Sequence, residues 1–310
     1  VRTFALVDEA STGGFFYPPD IPPPALLTSC LAATLGQNVG VTPAGGSFIS
    51  DVEPRYWAEY TYENYIRPAT TGTDLIQTQS IFFITRTAYT RVSMNNTYPD
   101  LVMTWNVMPS VSMHLFNSAS DPNHYLRTYE EALDGFINRT LRETNARIIV
   151  GNVINLQDMR FFRPCFSRDT LVSVQRAYNQ AIANVVAKYS NRVFLADLTG
   201  IDIARQQSFT SVNNGYFLNQ GGYEAVAEVF GRVINTRLGI TRPSRPVSLN
   251  NPPTKVPFTG GGSSGTPGSG GGIIIIIPTS GGSTPAPTTQ SQPTSGISPQ
   301  VAPRGGREGR

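Results

Sequence analysis

Short apolar blocks alternating with segments of helical period predict an α/β protein: a three-layer α/β/α sandwich around a five-stranded parallel sheet. The block 147–154 carries Ile148, Ile149, Val150, Val153 and Ile154 on both of its faces, as a central strand covered by helices on each side requires. The helical segments between blocks supply the long right-handed crossovers that parallel strands need. A flavodoxin-like strand order, 2-1-3-4-5, is the natural arrangement, and it places any ligand site at the carboxyl ends of the strands.

The elements follow in order. Residues 3–8 read as a buried strand, 24–35 as a helix that Gly36 terminates, and 38–42 as a second short strand. An aromatic segment over 56–65 precedes a helix expected from about 74 to 91. The third strand is 101–105, and the following loop carries the chain's two histidines, His114 and His124. Residues 125–144 suit a helix leading into strand 147–154. Leu171, Val174, Tyr178, Ile182, Val185 and Tyr189 recur at helical spacing before a fifth strand at 193–198. A last helix over 219–237 turns Tyr223, Val226, Phe230, Val233 and Ile234 inward.

Composition changes near Thr241. The 310 residues are 39% hydrophobic, enough for a sizeable core, but after 241 Pro, Gly, Ser and Thr dominate and little could pack. The expected division is a domain over 1–241 and a low-complexity tail over 242–310. Six cations against one anion give the tail +5, which leaves the body at −2 within the net +3. A body with that balance offers no basic face for nucleic acid. The tail holds five consecutive isoleucines, Ile273, Ile274, Ile275, Ile276 and Ile277, too few to cross a bilayer but strand-forming and costly to expose. They read as a segment to be buried on a neighbouring copy, or folded back on its own domain.

Other features are sparse. Val1-Arg2-Thr3 is unlike a signal peptide, so a processed mature form or a chain never exported is expected. Cys30 and Cys165 could form one bridge in an oxidising compartment or stay buried thiols. Asn95-Asn96-Thr97 and Asn138-Arg139-Thr140 fit N-glycosylation sequons, consistent with export. No Cys/His cluster has metal spacing, and no metal or other cofactor is expected.

Four spaced blocks carry a family resemblance. Val7-Asp8-Glu9-Ala10-Ser11-Thr12-Gly13 after the first strand, Asn38-Val39-Gly40-Val41-Thr42-Pro43, Pro99-Asp100-Leu101-Val102 leading to Asn106-Val107-Met108-Pro109, and Asn214-Gly215-Tyr216-Phe217-Leu218-Asn219-Gln220-Gly221-Gly222-Tyr223 stand in sequence order. Together they resemble the conserved blocks of the SGNH (GDSL-type) hydrolases. The resemblance implies an esterase scaffold without its chemistry. Glu9 stands at the serine nucleophile, Pro43 at a glycine oxyanion donor, Met108 at the asparagine donor, Asn214 at the aspartate and Phe217 at the histidine. Proline has no N–H to give an oxyanion, and a phenyl ring cannot carry a proton.

Three functions compete. The first is a non-catalytic extracellular structural protein that self-assembles, as a filament or surface-layer subunit, through the isoleucine segment and the aromatic surface of Trp57 and Tyr60. The second is a secreted carbohydrate esterase with a relocated active site; Glu9 itself reads either as a surface carboxylate or as a catalytic one working with Asp8 or Asp197. The third is a carbohydrate-binding module using the old cleft. The aromatic segment 56–65 also has a plainer reading, as an amphipathic lid on the sheet.

Overall fold

The structure, a computed structural model, describes residues 1–8, 52, 55–69, 76–81, 98–117, 121, 123–210, 213–240 and 246–249. Contacts divide the chain into units Val1–Ile276 and Ile277–Arg310, and every described residue belongs to the first.

Among the described residues, five strands form a parallel sheet: β1 (Thr3–Asp8), β2 (Ile76–Ile81), β3 (Leu101–Trp105), β4 (Arg147–Gly151) and β5 (Val193–Ala196), in the order β2-β1-β3-β4-β5. This is the expected α/β class and numerical strand order, with 76–81 rather than the expected 38–42 as the edge strand seen beside β1. The central strand β3 is buried along its whole length, and Thr3 through Val7 of β1 are buried too, which is why both read as apolar runs.

Helices α1 (Tyr56–Thr61), α2 (Met108–Asn117), α3 (His124–Glu143), α4 (Arg168–Lys188) and α5 (Gln220–Leu238) cover the sheet. The chain moves one way from β1 to β2 and the other way from β3 to β5. Right-handed crossovers therefore put the connecting helices on opposite faces. α1 packs against α5 on one side, while α2, α3 and α4 pack on one another on the other. Helix ends follow local chemistry: Ser167 accepts from the Thr170 amide at 3.1 Å to cap α4, and Asn219 accepts from the Gly222 amide at 2.9 Å to cap α5.

Several expectations need correction. Residues 76–81 form an edge strand rather than part of a helix over 74–91. Its backbone pairs along β1 from Thr3↔Ile76 to Asp8↔Ile81, so the sheet takes from pairing what the polar sequence of Gln77, Thr78, Gln79 and Ser80 did not signal. The segment after β3 is helical from Met108, so His114 lies on α2 and His124 opens α3. A two-stranded antiparallel hairpin, β6 (Gln207–Thr210) and β7 (Asn213–Leu218), precedes α5. The expected helix 24–35 and strand 38–42 lie outside the described residues.

Trp57 and Tyr60 are also corrected: they are core, not an assembly surface. Trp57 is fully buried, its ring 4.5 Å from Phe230 of α5 and 6.1 Å from Trp105 of β3, and Tyr60 is 3% exposed. The segment is the lid of the plainer reading, because α1 turns its aromatic side chains onto the sheet and α5. It continues through a π-helical turn, Tyr62–Ile66, and a 3₁₀ turn, Arg67–Ala69.

Candidate functional site

Of the positions that the family blocks single out, Asp8, Asn106 and Met108 lie at or just past the carboxyl ends of β1 and β3. β1 ends at Asp8; Glu9 and Pro43 lie outside the described residues. Past the end of β3, Asn106 is 1% exposed and its Oδ1 accepts from the Thr104 hydroxyl at 3.3 Å. Met108 begins α2 and is buried. Asn214 and Phe217 both lie on β7, with Asn214 paired to Phe209 across the hairpin.

The hairpin is held by a residue that sequence reading missed. Gln207, 2% exposed, donates from Nε2 to the carbonyls of Asp158 at 2.9 Å and Ile203 at 3.0 Å, and its Oε1 accepts from the Arg160 amide. This one amide joins the hairpin to the loop after β4. Gly215 makes the fit possible: its φ is +85°, and a Cβ there would lie 2.6 Å from Gln207 Oε1. No motif marks Gln207, since its partners are backbone groups, two of them, at Asp158 and Arg160, remote in sequence.

Phe217 is 7% exposed and meets the ring of Tyr216 edge-on, with centroids 4.9 Å apart. Tyr216 in turn contacts Phe161 at 5.0 Å and Phe162 at 6.2 Å, and these pack on Phe116 of α2 at 6.3 and 6.2 Å. One aromatic cluster thus spans β7, the loop after β4 and α2. Its geometry is that of edge-to-face packing in a core. The Tyr216 hydroxyl lies 3.2 Å from Ser112 Oγ.

The polar groups beside it are committed to structure. Asn152, 4% exposed, donates from Nδ2 to Asp197 Oδ1 at 2.9 Å, and its Oδ1 accepts from the Leu198 amide at 2.7 Å. The same Asp197 oxygen accepts from the Thr199 hydroxyl at 2.7 Å and the Thr199 amide at 3.1 Å. Partial burial opposes ionisation of Asp197, but the bonds from Asn152 and Thr199 outweigh it and hold the carboxyl below the usual carboxylate range. That environment suits a permanent anion tying the ends of β4 and β5 together, not a base that shares a proton.

The histidines sit away from the hairpin in sequence and in secondary structure. His114 is 8% exposed, stacks edge-on to Tyr178 at 5.7 Å, and its Nδ1 has no hydrogen-bond partner. Burial holds its imidazole below the usual histidine range. His124 packs edge-on to Tyr125. Among the described residues, no group of three or more His, Cys, Asp or Glu side chains could hold a metal ion. Nor is any described helix long and apolar enough to cross a membrane.

The other predicted positions are placed as follows. Cys165 is disulfide-bonded, and Cys30, the chain's other cysteine, lies outside the described residues. Asn138 is exposed on α3, its Nδ2 3.4 Å from the Tyr189 hydroxyl, while Thr140 of the same sequon is fully buried. Asn95 and the isoleucine segment 273–277 lie outside the described residues.

Comparison with solved structures adds the following. The chain is similar in fold to a GDSL-like lipase. That protein, from Parabacteroides merdae, matches with a TM-score of 0.49 at 10% identity over 74% of this chain and 94% of its own. An acetylxylan esterase from Geobacillus stearothermophilus, solved as a catalytic mutant, matches at 0.45 and 13% identity over 76% of this chain and 94% of its own. A family two carbohydrate esterase from Clostridium thermocellum, solved as an active-site mutant, matches at 0.43 and 12% identity; the match covers 77% of this chain but 65% of the esterase. No protein-family model matches the sequence. No curated protein matches it either.

Proposed function

We infer that this chain is a non-catalytic protein on an SGNH-like scaffold, serving outside the cell as a structural subunit that joins to other copies of itself through its tail. The observation that carries this reading is Phe217. At the position where the family resemblance puts the proton-carrying histidine, a phenyl ring is packed edge-on against Tyr216 and closed off from solvent. Ester cleavage needs an imidazole or an equivalent base within reach of the nucleophile, and hydrocarbon cannot take that role. Met108 and Asn214 point the same way, as do Glu9 and Pro43 in the sequence.

Assembly rests on the tail. Fully burying each isoleucine of 273–277 is worth roughly 1.5–3 kcal/mol, enough together to offset ordering a short strand. A tail of +5 is also attracted to a body of −2 on a neighbour, an effect that salt weakens. With Trp57 and Tyr60 in the core, the tail is the remaining one of the two assembly segments that the sequence offered.

Two measurements test the reading. Aryl acetate hydrolysis by the full chain is expected at the buffer rate; turnover abolished by Glu9→Ala establishes an esterase instead. Truncation after Asn250 is expected to leave a folded monomer by sedimentation velocity. A truncated protein that assembles as well as the full chain removes the tail from the account.

A further inference from the structure

Residues 246–249 follow the last helix, and they are held in an unusual way. The side chain of Val247 faces solvent, with the residue 68% exposed. Its backbone does the binding. The Val247 amide donates to Asn64 Oδ1 at 2.7 Å, and its carbonyl accepts from Asn64 Nδ2 at 3.0 Å. One side-chain amide therefore satisfies both main-chain groups of one residue, 183 positions away in sequence.

The body is built to present that amide. Asn64 is 6% exposed, lies in the π-helical turn Tyr62–Ile66, and is steadied by a further bond from Nδ2 to the Tyr60 carbonyl at 3.2 Å. Single π-helical turns inside helices recur at functional sites. A second contact lies beside it. Glu224 Oε1 accepts from the Tyr56 hydroxyl at 2.9 Å, from Gln220 Nε2 at 2.9 Å and from the Ser248 hydroxyl at 2.8 Å. The backbone of Leu249 lies beside the same Tyr56 hydroxyl, and its side chain packs against the core.

We propose that Asn64, through the backbone of Val247, and Glu224, through the Ser248 hydroxyl, form a clamp that straps residues 246–249 across α1 and α5 and fixes the point at which the C-terminal tail leaves the body. The chain after Leu249 then starts from the strap, not from the free end of α5. Since main-chain groups carry the recognition at Val247, the identity of that residue matters little, while the Asn64 amide that pairs with it matters greatly. The clamp acts within a single copy and does not depend on the assembly reading.

Amide-resolved hydrogen exchange on the full chain tests this. The amides of Val247 and Leu249 are expected to exchange slowly in the native protein. Asn64→Ala speeds both about tenfold or more, the effect of losing a hydrogen bond of ordinary net strength. Val247→Lys leaves the exchange at Leu249 unchanged, because the side chain already faces water. Val247→Pro, which removes one donor without touching the body, frees Leu249 as Asn64→Ala does. Exchange in α3 and α4 reports that the fold persists, and Val247→Pro decides the matter where Asn64→Ala does not fold. Slow exchange at Leu249 in Val247→Pro, or release of the strap by Val247→Lys, overturns the proposal.

Discussion

The ring of Tyr65 lies against Gly231, so close that a methyl group added to the glycine would sit 2.2 Å from Tyr65 Cε1. Tyr65 is fully buried, so its ring cannot swing aside without displacing its neighbours in the core. The contact joins the π-helical turn to α5 and sets how near the two can approach.

Gly231→Ala is accordingly expected to destabilise the protein despite its mid-helix position. Exchanging glycine for alanine in a helix favours folding by about 1 kcal/mol, but forcing a methyl into a filled core costs about 1–3 kcal/mol and more where a whole ring must move. The net effect is a loss of about 1–2 kcal/mol, read as a lower urea midpoint at unchanged m-value. Pairing it with Tyr65→Ala should make the second change cost less than it does alone.

His114 makes stability depend on pH. Its imidazole is neutral when folded, with its pKa below the usual range, whereas the unfolded chain takes up that proton near the ordinary histidine value of about 6.5. The contribution is therefore complete above about 6.5 and is lost as pH falls from there toward the lower folded value. Denaturation midpoints measured down this window should drop in the native protein and drop less in His114→Phe.

Asp197 acts in the same direction at lower pH. Its carboxyl is held below the usual carboxylate range by Asn152 and Thr199, so its contribution is present above the unfolded value and disappears as pH falls through the folded one. Asp197→Asn should flatten this acid limb and leave the histidine window intact, which thermal melts across the two ranges can separate.

Arg192 closes the end of α3. Its guanidinium donates to the carbonyls of Leu141 at 3.1 Å, Thr144 at 2.7 Å and Ala146 at 2.9 Å. Arg192→Ala leaves these partly buried acceptors short of donors and should cost about 1–3 kcal/mol. Arg192→Lys should recover only part, since an ammonium cannot reproduce the planar fork. Chemical denaturation of the two variants side by side provides the comparison.

The disulfide at Cys165 should be worth roughly 4–5 kcal/mol in the chain-entropy model if Cys30 is its partner, because the closed loop is long. Thiol titration of the unfolded, unreduced protein is expected to find no free cysteine. Two free thiols there would show that no bridge forms.

Residue pattern alone sufficed for β1, β3, β4 and β5 and for the helices α3, α4 and α5, because each buries a face whose period is written locally. Ile148 to Val150 can only be a covered strand, and Leu171, Val174, Tyr178 and Ile182 repeat at the pitch of a helix. The reading of Glu9, Pro43, Met108, Asn214 and Phe217 as departures from the hydrolase blocks is likewise a matter of residue identity at a spacing, and it rests on the resemblance. Tertiary structure alone decided the rest. β2 is a strand because its backbone lies in register with β1, an edge that tolerates polar residues giving no strand signal of their own. Trp57 is core because α5 covers it, and an aromatic segment reads alike whether a helix or a partner molecule lies above it. Gln207 and Asn64 owe their roles to main-chain groups distant in sequence, and a backbone carbonyl or amide carries no residue name by which a sequence could announce the pairing.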